Sequence, residues 1–137
     1  QTGWHFVNRS YNFDSAAGLV YTVDVTKPYG ERVKIASLAG GDQFCADSTY
    51  NVSMTSYRAA GGGNLLSKGA GIDTGNMDDR IVARLDDIRN ILYDYVQHVG
   101  EIRASELDDS AVLGHWEFIP SQAIPALRDD MKLLFGK

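Results

Sequence analysis

An enzyme needs a nucleophile with a base, a carboxylate pair with a shared task, or a metal site, so the residues able to supply these come first. The three histidines, His5, His98 and His115, lie far apart, and none belongs to an H-x-x-x-H or H-E-x-x-H pattern that would set two ligands on one helix face. Each reads as a surface histidine or a satisfied core histidine. No Ser sits in a G-x-S-x-G context, so a nucleophile elbow is not signalled. Cys45 is the single cysteine; it has no partner for an internal disulfide, no Cys or His at metal-ligand spacing, and reads as a small buried apolar side chain. Asp86-Asp87 and Asp108-Asp109 read as solvated helix and loop faces. The residues contain no catalytic set and no metal site.

Binding chemistry is better represented. Gly61-Gly62-Gly63 invites comparison with phosphate loops, yet the G-x-x-x-x-G-K-[ST] order is missing, because Lys68 is followed by Gly69 rather than Ser or Thr. A triple glycine alone reads as a flexible turn. Tyr57 stands at the end of an alternating run and beside this Gly-rich backbone, where a ring can stack on a nucleobase for about 1–3 kcal/mol. Alternation by itself favours the plainer reading, an ordinary half-buried strand residue.

The elements that must hold these residues follow from periodicity. Leu19, Tyr21, Val23 and Val25 alternate with Val20, Thr22, Asp24 and Thr26, predicting a strand. Lys27-Pro28-Tyr29-Gly30 turns the chain and a second run spans Arg32 to Leu38, so the pair predicts a hairpin. Gly40-Gly41-Asp42 marks another turn, and Tyr50 to Tyr57 alternates again as a third strand, with an antiparallel sheet the simplest arrangement. The glycines from 61 to 75 keep Ala59 to Gly75 irregular, a candidate binding loop. From Asp78 the period changes: Ile81, Leu85, Ile88, Leu92, Tyr95 and Val99 predict an amphipathic helix, capped by Asn76 or Thr74 and ended by Gly100. Glu101 to Leu113 is acidic and mixed, Trp116 to Ile119 predicts a last strand, and Pro125 opens a short helix through Leu134. Strands followed by helix imply an α+β fold: a mixed or antiparallel sheet of about four strands with one long and one short helix.

Composition bounds the partners. The 137 residues match one domain, spanning 1–137, with 44% hydrophobic and 23% charged residues, ordinary for a globular protein. A net charge of −5 repels a polymeric phosphate backbone, so DNA and RNA are not expected as partners. No run approaches the roughly 18 apolar residues of a membrane helix, and the opening Gln1-Thr2-Gly3-Trp4 is neither a signal peptide nor headed by Met, which implies a processed or excised piece. A strand edge left open would invite pairing with a second copy, so a homodimer is an expectation to test.

Four segments in order carry a resemblance: Ser10-Tyr11-Asn12-Phe13-Asp14, then Gly18 to Thr26, then Glu31-Arg32-Val33-Lys34-Ile35, then Tyr50 to Gly63. Together they resemble the C-terminal domain of the 5′-nucleotidase family. The closer likeness is to its bifunctional 2′,3′-cyclic-nucleotide 2′-phosphodiesterase/3′-nucleotidase branch, where an N-Y-R-A-x-G-G pattern replaces N-D-F-L-A-S-G-G-D-G-Y. It covers roughly residues 4 to 100. The resemblance implies a periplasmic hydrolase in which a separate N-terminal metallophosphatase domain with two divalent metal ions cleaves the phosphate, while the C-terminal domain grips the nucleoside between aromatic rings. The G-N-H-[DE] segment of the catalytic domain is absent, since Gly75-Asn76 is followed by Met77, so specificity without catalysis is implied and no cofactor is expected in this chain. Tyr57 falls on the stacking position. Asn12 and Phe13 fall near a segment lining the base pocket, and Gly61, Gly62, Gly63 and Asn64 form its Gly-rich side. Gly63 stands where a 5′-nucleotidase carries an Asp for the ribose hydroxyls, leaving Asn64 as a polar substitute. The second stacking aromatic would lie upstream of Gln1, which implies weak binding by these residues alone, because one stack does not offset the cost of association. The alternative is a stand-alone binding or interaction module of the same fold without nucleotidase activity.

Overall fold

β-branched and aromatic residues dominate Leu19–Asp24, and they form β1. A computed structural model describes residues 3, 5–7, 10–103 and 115–135 of the chain. β1 pairs antiparallel with β2, Val33–Leu38, in a register that sets Leu19 opposite Leu38 and Val23 opposite Val33, with a bulge between Val20 and Tyr21. The hairpin read from the sequence is present. Its turn closes through Asp24 N–H to the Arg32 carbonyl at 2.7 Å, and Asp24 also accepts from the Thr26 hydroxyl at 2.6 Å and the Thr26 N–H at 3.0 Å.

The last strand, β3, spans Trp116–Ile119 as the sequence predicts, but it runs parallel to β1, with Trp116 beside Tyr21 and Ile119 beside Asp24. The sheet is therefore mixed, in the order β2-β1-β3. A parallel partner needs a long connection, and here the chain between β2 and β3 supplies one. Tyr21 is the buried apolar residue among those described, at 8% exposure. Trp116 stacks on it with ring centroids 5.9 Å apart and planes within 8°, and Phe118 meets Trp116 edge-on at 5.1 Å. Such pairs contribute about 0.5–1.5 kcal/mol beyond area burial.

The chain divides into two compact units, Gln1–Ala46 with Leu107–Lys137, and Asp47–Glu106. The first holds the sheet and a helix, Ala123–Phe135, that packs against β3. Pro125 lies in that helix's first turn, where a missing N–H goes unnoticed. The second unit holds α1, Ser56–Ala59, then α2, Ile88–Val99, so the helix after β3 is α3. The fold is α+β, in keeping with the expected class, with three strands rather than about four among the described residues.

The missing strand is the one expected over Tyr50 to Tyr57. Residues 50–55 join no ladder, and Thr55 instead caps α1, its hydroxyl accepting from Arg58 N–H at 3.4 Å. Alternation supplies a face but not a partner, and a Thr that can bond to its own backbone competes with the ladder. The Ala59–Gly75 loop is likewise built of tight turns, a 3₁₀ turn at Gly62–Asn64 and a π turn at Leu65–Gly69. The helix expected from Asp78 begins ten residues later. Asp78–Arg80 makes a separate 3₁₀ turn, and Asp87 caps α2 by accepting from Arg89 N–H at 2.8 Å. Asp86 accepts from both Asp87 N–H, at 2.6 Å, and Asn90. These carboxylates take backbone donors that a through-running helix would need, so the helix starts after them. Gly100 ends it as expected, at φ 83°, its N–H reaching the Val96 carbonyl at 2.8 Å.

Cys45, read as buried, is exposed. His115, read as a surface histidine or a satisfied core histidine, has a buried Nδ1 with no hydrogen-bond partner among the described residues. Residues 104–113 of the acidic segment, with Asp108-Asp109, and Gln1, Thr2 and Trp4 lie outside the described residues. Among those described, no helix is long and apolar enough to cross a membrane.

Candidate functional site

Tyr57 sits in α1 and is 59% exposed. α1 is a single turn: Ala59 N–H reaches the Thr55 carbonyl at 3.0 Å and Ala60 N–H the Ser56 carbonyl at 2.9 Å. Gly61 then leaves in the left-handed region, φ 93°, and Gly63 and Asn64 follow there at 75° and 60°. Glycine adopts this conformation without the steric cost that a Cβ brings, and Asn is among the side chains that tolerate it. The result folds the Gly-rich backbone back onto the tyrosine. A Cβ placed on Gly62 would lie 2.5 Å from Tyr57 Cε1 and Cζ and 2.5 Å from its carbonyl oxygen, so only glycine fits against the ring. A Cβ on Gly61 would lie 2.8 Å from Thr74 Oγ1.

Arg58 completes the arrangement. Its Nη1 donates to the Gly62 carbonyl at 3.1 Å, and the guanidinium stands over the Tyr57 ring, 5.4 Å from its centroid. This residue was not legible as part of the site. A strand sends Tyr57 and Arg58 to opposite faces, whereas a helical turn followed by a left-handed exit lets both meet the same backbone. Thr74, read only as a helix cap, also enters here as the wall behind Gly61.

The structure thus brings Tyr57, Gly61, Gly62, Gly63 and Asn64 together within one unit. Asn12 and Phe13 belong to the other unit. Asn12 ends a 3₁₀ turn, Ser10–Asn12, and is half-buried. Phe13 is exposed, its ring 5.9 Å from that of Trp116. The segment is held from below by Tyr21, whose hydroxyl accepts from Ala16 N–H at 3.1 Å. Trp116 had no sequence signal linking it to Phe13, since the two are brought together only by the parallel pairing of β3.

Residues 1–68 match the family model of the 5′-nucleotidase, C-terminal domain. The match takes in just under half of the chain and ends inside the π turn, short of residue 100, where the resemblance in the sequence was placed. It includes every residue singled out for binding, from Asn12 to Asn64. No curated protein and no solved structure matches the chain. The mixed sheet with helices is consistent with the 5′-nucleotidase C-terminal domain fold, the substrate-binding part of nucleotidases.

The rest of the second unit adds an open polar depression of about 480 Å³ lined by Asp73, Asn76, Asp79 and Arg80. None of the residues singled out for binding from the sequence lines it. Among the described residues no three His, Cys, Asp or Glu side chains gather as metal ligands.

Proposed function

We propose that the chain is the nucleoside- or nucleotide-binding specificity domain of a metal-dependent nucleotidase, with Tyr57 as the stacking ring. The supporting observation is Tyr57 itself: more than half exposed, yet with its ring closely approached by Gly62, inside the residues that match the 5′-nucleotidase C-terminal domain. A ring held in one orientation loses less freedom when a base settles on it, so more of the stacking energy appears as affinity.

Under this proposal, hydrolysis belongs to a separate N-terminal metallophosphatase domain that holds two divalent metal ions. The setting is the periplasm or cell envelope, and the branch is the bifunctional 2′,3′-cyclic phosphodiesterase/3′-nucleotidase one, the reading favoured by Tyr57-Arg58-Ala59 ahead of the glycines. Asn64, left-handed beside Gly63, is the polar group proposed for the ribose in place of the carboxylate that Gly63 lacks. That lack also favours a second reading, a binding module that retains the fold without nucleotidase substrates.

Calorimetric titration of the full chain with adenosine and with 3′-AMP, beside Tyr57→Ala, tests the proposal. Saturable binding, even millimolar, that disappears in Tyr57→Ala is the expected result. Binding that survives the substitution refutes the stacking role. No binding by the parent chain transfers the weight to the module reading.

A further inference from the structure

We propose that Arg58 is a specificity-determining residue of the Tyr57 site, which makes the stacking face favour purine over pyrimidine bases. The inference rests on the stacking reading of Tyr57 and deepens it.

Three contacts close on one another: Gly62 lies against the Tyr57 ring, the Gly62 carbonyl accepts from Arg58 Nη1 at 3.1 Å, and the Arg58 guanidinium stands over the same ring at 5.4 Å. Arg58 is half-buried, and a carbonyl holds its fork, so the cation sits over the ring as a built feature rather than sweeping through solvent. Two consequences follow for a ligand. The guanidinium stands over one ring face, so the proposal puts the base on the other. The positive charge also draws π density toward itself, so the opposite face presents a less electron-rich surface. Stacking on such a surface favours the larger, more electron-rich and more polarisable bases, and adenine and guanine exceed uracil in all three respects. Base preference without hydrogen-bond readout arises from this kind of difference in stacking strength.

The charge, not the bulk, carries the effect. Cation–π attraction at partly exposed sites corresponds to a factor of about two to five in an equilibrium constant, and because the contact exists in the free chain too, that factor is the upper bound on what the charge adds to binding. Arg58→Met keeps the aliphatic stem and removes the charge. Arg58→Lys keeps the charge and loses the planar fork.

The test is titration of the full chain with adenosine and with uridine, in the parent, Arg58→Met and Arg58→Lys, with Tyr57→Ala as reference and far-ultraviolet circular dichroism as the check on folding. Arg58→Met is expected to weaken adenosine by up to about fivefold and uridine by less, narrowing the ratio between them, and Arg58→Lys is expected to restore most of the ratio. Equal losses for both nucleosides in Arg58→Met would show a structural brace and overturn the proposal. Tighter binding of both would show an obstruction and overturn it equally. Should Arg58→Met fold poorly, a ratio in Arg58→Lys that departs from the parent by as much as the whole cation–π factor would overturn it too. If the parent binds neither nucleoside, or Tyr57→Ala binds as the parent does, the stacking reading falls and takes this inference with it, a result separate from the loss of the ratio alone.

Discussion

Gly62→Ala is the sharpest perturbation of the site. The added Cβ would stand 2.5 Å from Tyr57 Cε1 and Cζ and 2.5 Å from the Tyr57 carbonyl oxygen. Carbon atoms rest at about 3.5–4.0 Å, so the ring and the backbone must each retreat by about 1 Å. The ring can swing on its χ angles, but the carbonyl belongs to α1 and cannot move without opening that one-turn helix. Overpacking of this kind costs about 1–3 kcal/mol. α1 is short and mostly exposed, so the strain is relieved locally and the sheet unit should keep its melting transition. Nucleoside binding should weaken by what the stack contributes, about 1–3 kcal/mol, or about five- to more than a hundredfold in Kd. Gly69→Ala is the control: a Cβ there meets nothing within 4 Å, and its φ is not left-handed. Calorimetry of adenosine binding and thermal melts of the three chains decide the matter. A Gly62→Ala chain that binds and melts like the parent would refute the reasoning that glycine seats the ring.

Two other expectations concern the start of α2 and the β1–β2 turn. Asp87→Ala removes the carboxylate that accepts Arg89 N–H at 2.8 Å, so α2 should lose about 1 kcal/mol and fray from its first turn, seen as reduced ellipticity at 222 nm; unchanged ellipticity would show that Asp86 caps the helix unaided. The Thr26 hydroxyl, then the Thr26 N–H, hold the Asp24 carboxyl below its usual value of 3.8. A depressed folded-state pKa stabilises the hairpin turn above the unfolded value and is lost as pH falls through the folded one, so the turn should loosen only below about pH 3.8. In Thr26→Val the carboxyl should titrate closer to 3.8 by NMR, and no movement would rule out the hydroxyl as the main cause.

The hairpin, β3 and the C-terminal helix were legible because each is decided by local rules. β-branched alternation around Pro28 and Gly30 specifies two paired strands, Trp116-Glu117-Phe118-Ile119 reads as a strand wherever it docks, and Pro125 can only lie near a helix start. The stop at Gly100 was legible for the same reason. The start of α2 was not, since the apolar stripe from Ile81 onward continues the helical period while Asp86 and Asp87 compete for the backbone donors. Side-chain capping outweighed periodicity over a stretch where little packing favours the longer helix.

The sequence by itself singled out Tyr57 and the glycines at 61–63 as candidates for binding, because they occur in a fixed spacing, and spacing along the chain is all that such a pattern needs. It determined the α+β class too, since alternation and helical period are properties of neighbouring residues. Tertiary structure alone decided that β3 is parallel, which places Trp116 against both Tyr21 and Phe13, because pairing between residues nearly a hundred positions apart leaves no local trace. It alone decided that Tyr57 lies in a helical turn rather than a strand. That choice brings Arg58 over the ring and Gly62 against it, since contact between side chains depends on backbone dihedrals that alternation does not specify.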